Sequence, residues 1–220
     1  MKQILHFDDS ENWMEIRIND VKQSYYIPEG INNDICVDVG GNVGAFSMVH
    51  SKHFKRIIAF EPSTYSYGEY LKNISKNRLS NVRVIQLAVA DLSNKTLHLK
   101  PWLFGNQSGN ASTIDSEQWD EGTYEEVQST SLEDIFEKFN LSRINYLKVD
   151  CEGGEYDFLM NKDLSKIDCI SIEIHHQLCE RVQELVNYLQ ERFDIVNSHL
   201  SGGPQKQLIA TFKNKLLRTG

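Results

Sequence analysis

One alternation limits the possible folds more than any other property of the sequence. Between residues 34 and 91 a short apolar run, "DICVDVG", turns at glycines into "VGAFSMVHSKHF", where Val43, Phe46, His50 and Phe54 share one helical face. A second run, "RIIAFEP", leads into "TYSYGEYLKNISKN", with Tyr67, Tyr70, Leu71 and Ile74 at i, i+3, i+4 and i+7, and a third run, "VRVIQLAVAD", follows. Strand, helix, strand, helix, strand in this order predicts a parallel sheet with crossover helices, an α/β fold.

The rhythm pauses over residues 93–130. There "KTLHLKPW" reads as an extra strand and "FGNQSGNASTIDSEQWDEG" as a long loop, a length that is usually either functional or disordered. It resumes at "TSLEDIFEKFN", where Thr130 and Glu133 fit a capping box. The strand "INYLKVD", the short helix "EYDFLMN", the strand "CISIEIHH" and a helix with Val182, Leu185, Val186 and Leu189 on one face come next. "FDIVNSHL" and "QLIATFKN" close the chain as an antiparallel pair across "SGGPQK". Ahead of the rhythm, "WMEIRIND" alternates and "QSYYIPEG" ends in a turn. Residues 1–33 are therefore expected to form an N-terminal β extension of a single domain whose Rossmann-like core spans 34–220.

Composition removes several classes of function. The 220 residues carry 23 Lys and Arg against 31 Asp and Glu, a net charge of −8 with no basic run, which disfavours a nucleic-acid partner. The cysteines at 36, 151, 169 and 179 form no CxxC pair and read as free thiols of a reducing compartment. The N-terminus has no signal-peptide core, and no apolar stretch approaches ~20 residues, so a cytoplasmic protein without a membrane partner is expected.

Chemistry concentrates where strands end, because open α/β sheets bind ligands beyond the carboxyl ends of their strands. After the first strand, Gly40, Gly41 and Gly44 let the backbone bend and approach a ligand closely. The second strand ends at Glu61, 21 residues after Gly40, where a carboxylate can accept hydrogen bonds from both hydroxyls of a ribose. "GGNVGAF" lacks the G-x-G-x-x-G spacing of a pyrophosphate loop, and Asp38 beside it would repel a pyrophosphate while suiting an ammonium. S-adenosylmethionine, with a ribose, an ammonium and no phosphate, fits these residues better than NAD. At the far strand tips stand Asp150, Glu152 and Glu155, then Glu173 and His175 on one strand face. His175 is the expected general base for a hydroxyl, with Glu173 or Asp150 orienting it or holding the substrate; Lys148 is a structural partner available to Glu173. No residue is assigned as a metal ligand, although Asp150, Glu173 and His175 are the ones that would hold Mg²⁺ or Mn²⁺. "GNQSGNAST" at 105–113, flanked by Trp102 and Trp119, reads as a lid over the substrate.

These motifs also carry a resemblance. "VDVGGNVGAFS", "FEPS", "AVADLSNKTLHL", "LKVDCEGGEYDFL" and "IEIHH", spread from about Ile35 to His176, resemble the FkbM family of S-adenosylmethionine-dependent methyltransferases, with a departure at Cys151, where a small aliphatic residue is more usual. The resemblance implies a seven-stranded, mostly parallel sheet with its last strand antiparallel. It implies O-methylation of a hydroxylated small-molecule acceptor such as a sugar. It places the cofactor against Asp38, Gly40, Asn42, Gly44, Glu61, Pro62, Ser63 and Ala88, and the catalytic chemistry at His175, Glu173 and Asp150. The rival readings are a nucleic-acid methyltransferase, an NAD-dependent oxidoreductase and a non-catalytic module that only binds the cofactor.

Overall fold

The computed structural model describes residues 11–99, 124–175, 181–200 and 207–217. Its main sheet has seven strands in the order β3-β2-β1-β7-β8-β10-β9. β1 (Ile35–Val39), β2 (Arg56–Phe60), β3 (Val82–Ile85), β7 (Tyr146–Val149) and β8 (Cys169–Ile174) are parallel. β10 (Leu208–Asn214) runs antiparallel between β8 and β9 (Phe193–Leu200), so the closing pair and the reversed last strand are as the sequence predicts.

Register stacks apolar side chains in a row across five strands, Ile58 beside Val37, Leu147, Ile170 and Phe212. All five are fully buried against α4 (Leu132–Lys138), α5 (Glu155–Leu159) and α6 (Val182–Arg192), and burying such a side chain contributes roughly 1.5–3 kcal/mol. On the opposite face Cys36, Ile57, Tyr146 and Cys169 pack with residues of α1 (Glu11–Ser24) and α2 (Ala45–His50). Both faces are covered, which is why the central strands read as continuous apolar runs.

The N-terminal segment departs from expectation. α1 is a helix where strands were expected. Ile16 and Ile18 fit alternation, but the fold buries Ile18, Val21 and Tyr25, at i, i+3 and i+7, and leaves Ile16 exposed. The helical period wins because α2 offers this stripe a partner: Tyr25 meets Phe46 edge-on at 5.5 Å.

The expected third strand is divided. Leu87 N–H donates to Ile85 O at 3.0 Å in a tight turn, and the chain leaves β3 to enter a second sheet, β4-β6-β5. There β4 (Ala88–Val89) and β5 (Thr96–Leu99) flank β6 (Glu125–Thr130), burying Ala88, Leu99 and Val127. β6 lies past the expected loop, in a stretch where the sequence reading assigned no strand. Among the helices, α3 (Thr64–Asn77) starts at Ser63, and Leu71 on it is exposed rather than in the core. The cap of α4 is Ser131, whose Oγ accepts from Asp134 N–H at 3.2 Å; the Thr130–Glu133 box is displaced by one residue. Among the described residues no helix is long and apolar enough to cross a membrane. The lid stretch, Trp102, Trp119, His176 and Cys179 lie outside the described residues.

Candidate active site

Chain order reverses between β1 and β7, and the loops leaving these two strands meet at the carboxyl edge of the sheet. Gly40 has φ +73°, and a Cβ there would stand 1.7 Å from the carbonyl oxygen of Asp150. At Gly44, φ +91°, a Cβ would stand 2.5 Å from the Tyr70 ring. The bareness of this loop is therefore used first by the protein, to lay one strand-end loop on the other and a tyrosine against the helix entry. Gly40 and Gly41 N–H both donate to Phe60 O, at 3.0 and 2.9 Å, which fixes the loop to β2.

Glu61 follows β2 and binds both sides of the turn. Its Oε2 accepts from Asn42 N–H at 2.7 Å and its Oε1 from Ser63 N–H at 2.9 Å. Burial raises its pKa to about 7, against the two backbone donors, which favour the charge. Each oxygen keeps a lone pair for a further donor. Glu61 lines an open cleft of about 180 Å³, with Gly40, Asn42, Pro62 and Ala88 around it and Asp150, Glu173 and His175 across from it.

Three of the expected cofactor residues do not line this cleft. Asp38 is fully buried: its Oδ1 is 3.3 Å from Lys148 Nζ, and its Oδ2 accepts from Tyr70 OH at 3.3 Å. The carboxylate expected to meet a ligand's ammonium meets the protein's own instead. Gly44 serves the entry to α2, and Ser63 caps α3 by accepting from Ser66 N–H. Lys148 Nζ also donates to Gly40 O at 2.6 Å and Val39 O at 3.2 Å, and lies 3.5 Å from Asp150 Oδ2. Burial favours its neutral form, but the Asp38 and Asp150 carboxylates outweigh burial and hold its pKa above the ordinary lysine value. The anticipated pairing with Glu173 is thus a pairing with Asp38 and Asp150.

At the tips of β7 and β8, side chains converge on one imidazole. His175 Nδ1 is 3.0 Å from Glu155 Oε1, and its Nε2 is 3.1 Å from Glu152 Oε2 and 3.9 Å from both Asp150 Oδ1 and Glu173 Oε1. Glu152, at φ +52°, turns the chain back so that its carboxylate reaches the histidine. Burial pulls the His175 pKa down, but the Glu155 hydrogen bond and the Glu152 and Asp150 carboxylates outweigh it and push it to about 10. Burial, and then Asp150, raises Glu152 to about 8 and Glu173 to about 7. An imidazolium has no lone pair to take a proton, so the acids around His175 favour a form that would have to lose its proton before it could serve as the expected general base. Tyr25 OH, 2.9 Å from Asp150 Oδ2 and 3.3 Å from Glu173 Oε2, completes the wall. Sequence reasoning missed Tyr25; its partners lie over a hundred residues away and no spacing announces them.

Glycine loop, strand-end carboxylate and acid-lined second half form one cleft. The model of the methyltransferase FkbM domain matches residues 38–199. "Methyltransferase 1" of Beauveria bassiana is 26% identical over 176 residues, covering 73% of this chain and 70% of that protein. "Methyltransferase sdnD" of Sordaria araneosa is 29% identical over 164 residues, covering 60% of this chain and 61% of its own. This chain thus spans only about two thirds of the length of these fungal relatives. Two solved structures share the fold. One is the putative methyltransferase SMU.1697c of Streptococcus mutans in complex with SAH, at TM-score 0.53 and 10% identity, covering 97% of this chain and 99% of that one. The other is a ribosomal protein L11 methylase of Lactobacillus delbrueckii subsp. bulgaricus, at TM-score 0.53 and 12% identity, covering 96% and 85%. The domain match covers most of the chain, from the acid of the first strand to the penultimate strand, and on that ground the chain belongs to the FkbM methyltransferase family.

Proposed function

We propose that this chain is an S-adenosylmethionine-dependent O-methyltransferase acting on a hydroxyl of a small acceptor such as a sugar. The observation that carries the reading is the division of one cleft into two chemistries. Glu61 and the glycine-loop backbone stand on one side, and Asp150, Glu173 and His175 on the other. The donor set suits the cofactor: Glu61 can accept from a ribose diol, and the acids that line the cleft outnumber its one described arginine, Arg17, which disfavours a pyrophosphate. The Streptococcus mutans relative, solved with SAH, supports the same cofactor class. A net charge of −8 and the acidic far wall disfavour a polyanionic acceptor.

Bound S-adenosylmethionine supplies a methyl group on a sulfonium, which reverts to the thioether S-adenosylhomocysteine when the acceptor oxygen takes the methyl. The chain's task is to hold that oxygen in line with the sulfur–carbon bond, and alignment of this kind can supply ~7–11 kcal/mol. Asp150 and Glu173, braced by Tyr25, orient the hydroxyl, and its proton passes to a cleft carboxylate. Calorimetry with S-adenosylhomocysteine should show one site per chain. Labelled cofactor should then transfer its methyl to hydroxylated acceptors in a screen of sugars and nucleotide sugars. A folded chain that ignores S-adenosylhomocysteine at millimolar concentration would falsify the proposal, and uptake of NAD in its place would favour the oxidoreductase.

A further inference from the structure

The acid-lined half of the cleft is organised around a point. His175 is tethered at Nδ1 by Glu155, which leaves Nε2 directed at the other acids. Asp150 is tethered at Oδ2 by Tyr25 OH and Lys148 Nζ, which leaves Oδ1 facing the imidazole. Glu173 is tethered at Oε2 by the same tyrosine, with Oε1 facing inward. Each side chain is thus gripped by one atom from behind while the other atom converges, the arrangement by which outer partners orient the ligands of a metal. Asp150, Glu152 and His175 each offer one ligand atom, and these atoms all lie within 4.8 Å of one another. Two atoms bound at ~2.1 Å on opposite sides of one ion stand ~4.2 Å apart, so a shift of a few tenths of an ångström closes the set.

Hydrogen-bond supply points the same way. His175 Nε2 can donate one hydrogen at most, yet three carboxylates face it at 3.1 to 3.9 Å. Behind them Glu155 Oε2 is buried with no hydrogen-bond partner among the described residues. A fully buried carboxylate oxygen left without a donor, behind a histidine that three acids share, is compensated when a cation sits among them. One imidazole with carboxylates suits a divalent first-row ion better than a lysine-like ligand or Ca²⁺.

We propose that Asp150, Glu152 and His175 bind one divalent cation of the Mn²⁺ kind, with Glu173 beside it, the ion displacing the Nε2 proton of His175 to solvent as it binds, and that this ion holds the acceptor hydroxyl. The cation site stands on the geometry alone; only its use on an acceptor rests on the methyl-transfer reading. In that use the ion draws electron density from the hydroxyl oxygen, easing loss of its proton to a neighbouring carboxylate while the new carbon–oxygen bond forms.

The test is a titration of the full chain with MnCl₂, following free Mn²⁺ by electron paramagnetic resonance, with and without saturating S-adenosylhomocysteine. One ion per chain is expected in both cases. Glu152→Gln and Asp150→Asn should each weaken the ion's binding at least tenfold, with S-adenosylhomocysteine uptake in the same samples showing that the fold persists. A chain that takes up S-adenosylhomocysteine but leaves Mn²⁺ free at millimolar concentration overturns the site and spares the methyltransferase reading. Displacement of Mn²⁺ by S-adenosylhomocysteine also overturns it, since the cluster would then seat the ligand's ammonium. Mn²⁺ bound without any S-adenosylhomocysteine uptake upholds the site and removes its proposed use.

Discussion

At the scale of single residues, two glycines of similar appearance have opposite tasks. Gly40 combines a left-handed backbone with an absent Cβ that would otherwise stand 1.7 Å from the Asp150 carbonyl. That neighbour is backbone, and it belongs to the loop carrying the acid cluster, so it cannot step aside cheaply. Gly40→Ala should lower stability by ~3 kcal/mol or more, from strain plus the clash. Gly68 lies inside α3, and a Cβ there meets nothing within 4 Å. Gly68→Ala should therefore raise stability by about 0.5–1 kcal/mol, since alanine leaves the unfolded chain less freedom and suits a helix. Urea unfolding of both variants checks the pair; a neutral Gly40→Ala would remove the claim that the loop is bare for the protein's own sake. The glycines were legible in the sequence as a close approach, but what approaches was not. Asp38 shows the same limit: its position beside the loop is visible in the sequence, whereas its partner Lys148 is set by the pairing of β1 with β7.

At the scale of elements, legibility followed coverage. β1, β2, β7 and β8 are buried on both faces, so each announces itself as an apolar run. β6 is held by backbone pairing to β4 and β5 around a single large apolar side chain, Val127, and a stretch with so little apolar content announces no strand. α1 was misread because a short stretch can satisfy periods of 2 and 3.6 at once, and only its partner α2 decides. The start of α4 offers a quantitative check of the same kind. Ser131→Ala removes the acceptor for Asp134 N–H and should cost about 1 kcal/mol. Glu133→Ala removes only an exposed contact with Lys162 and should stay within about 0.5 kcal/mol. Thermal unfolding separates them, about 2–4 °C for the first and little for the second; the reverse order would restore the cap to Thr130 and Glu133.

At the scale of the whole molecule, the sheet brings an acid from β2 to the rim of a cleft whose far wall comes from β7 and β8, and this placement couples ligand uptake to pH. Glu61 is pushed to about 7 by burial, with Lys148 and Asp38 the nearest charges acting on it. Its pKa is raised above the unfolded value near 4.5. From about pH 4.5 to 7 the folded protein therefore keeps a proton that the unfolded chain has lost, and this group's contribution to stability falls as pH rises across that window. Ligand binding has the opposite slope. A ribose diol donates to the carboxylate, so it selects the deprotonated form. Affinity for S-adenosylhomocysteine should be level above about pH 7.5 and fall below 7, approaching tenfold per pH unit toward pH 5. The ligand's own carboxylate and ammonium titrate outside that range, and Glu173 and Glu152 across the cleft, at about 7 and 8, are common to the parent and a Glu61 variant, so the difference between the two profiles isolates Glu61. Glu61→Gln binds more weakly throughout, because its amide nitrogen must face either Asn42 or Ser63 N–H, and its profile should be flatter than that of the parent. Calorimetric dissociation constants from pH 5 to 8 for both proteins decide the matter. A level profile in the parent, or an equal slope in Glu61→Gln, would place the ribose elsewhere and detach the sequence's most specific acid from the cofactor.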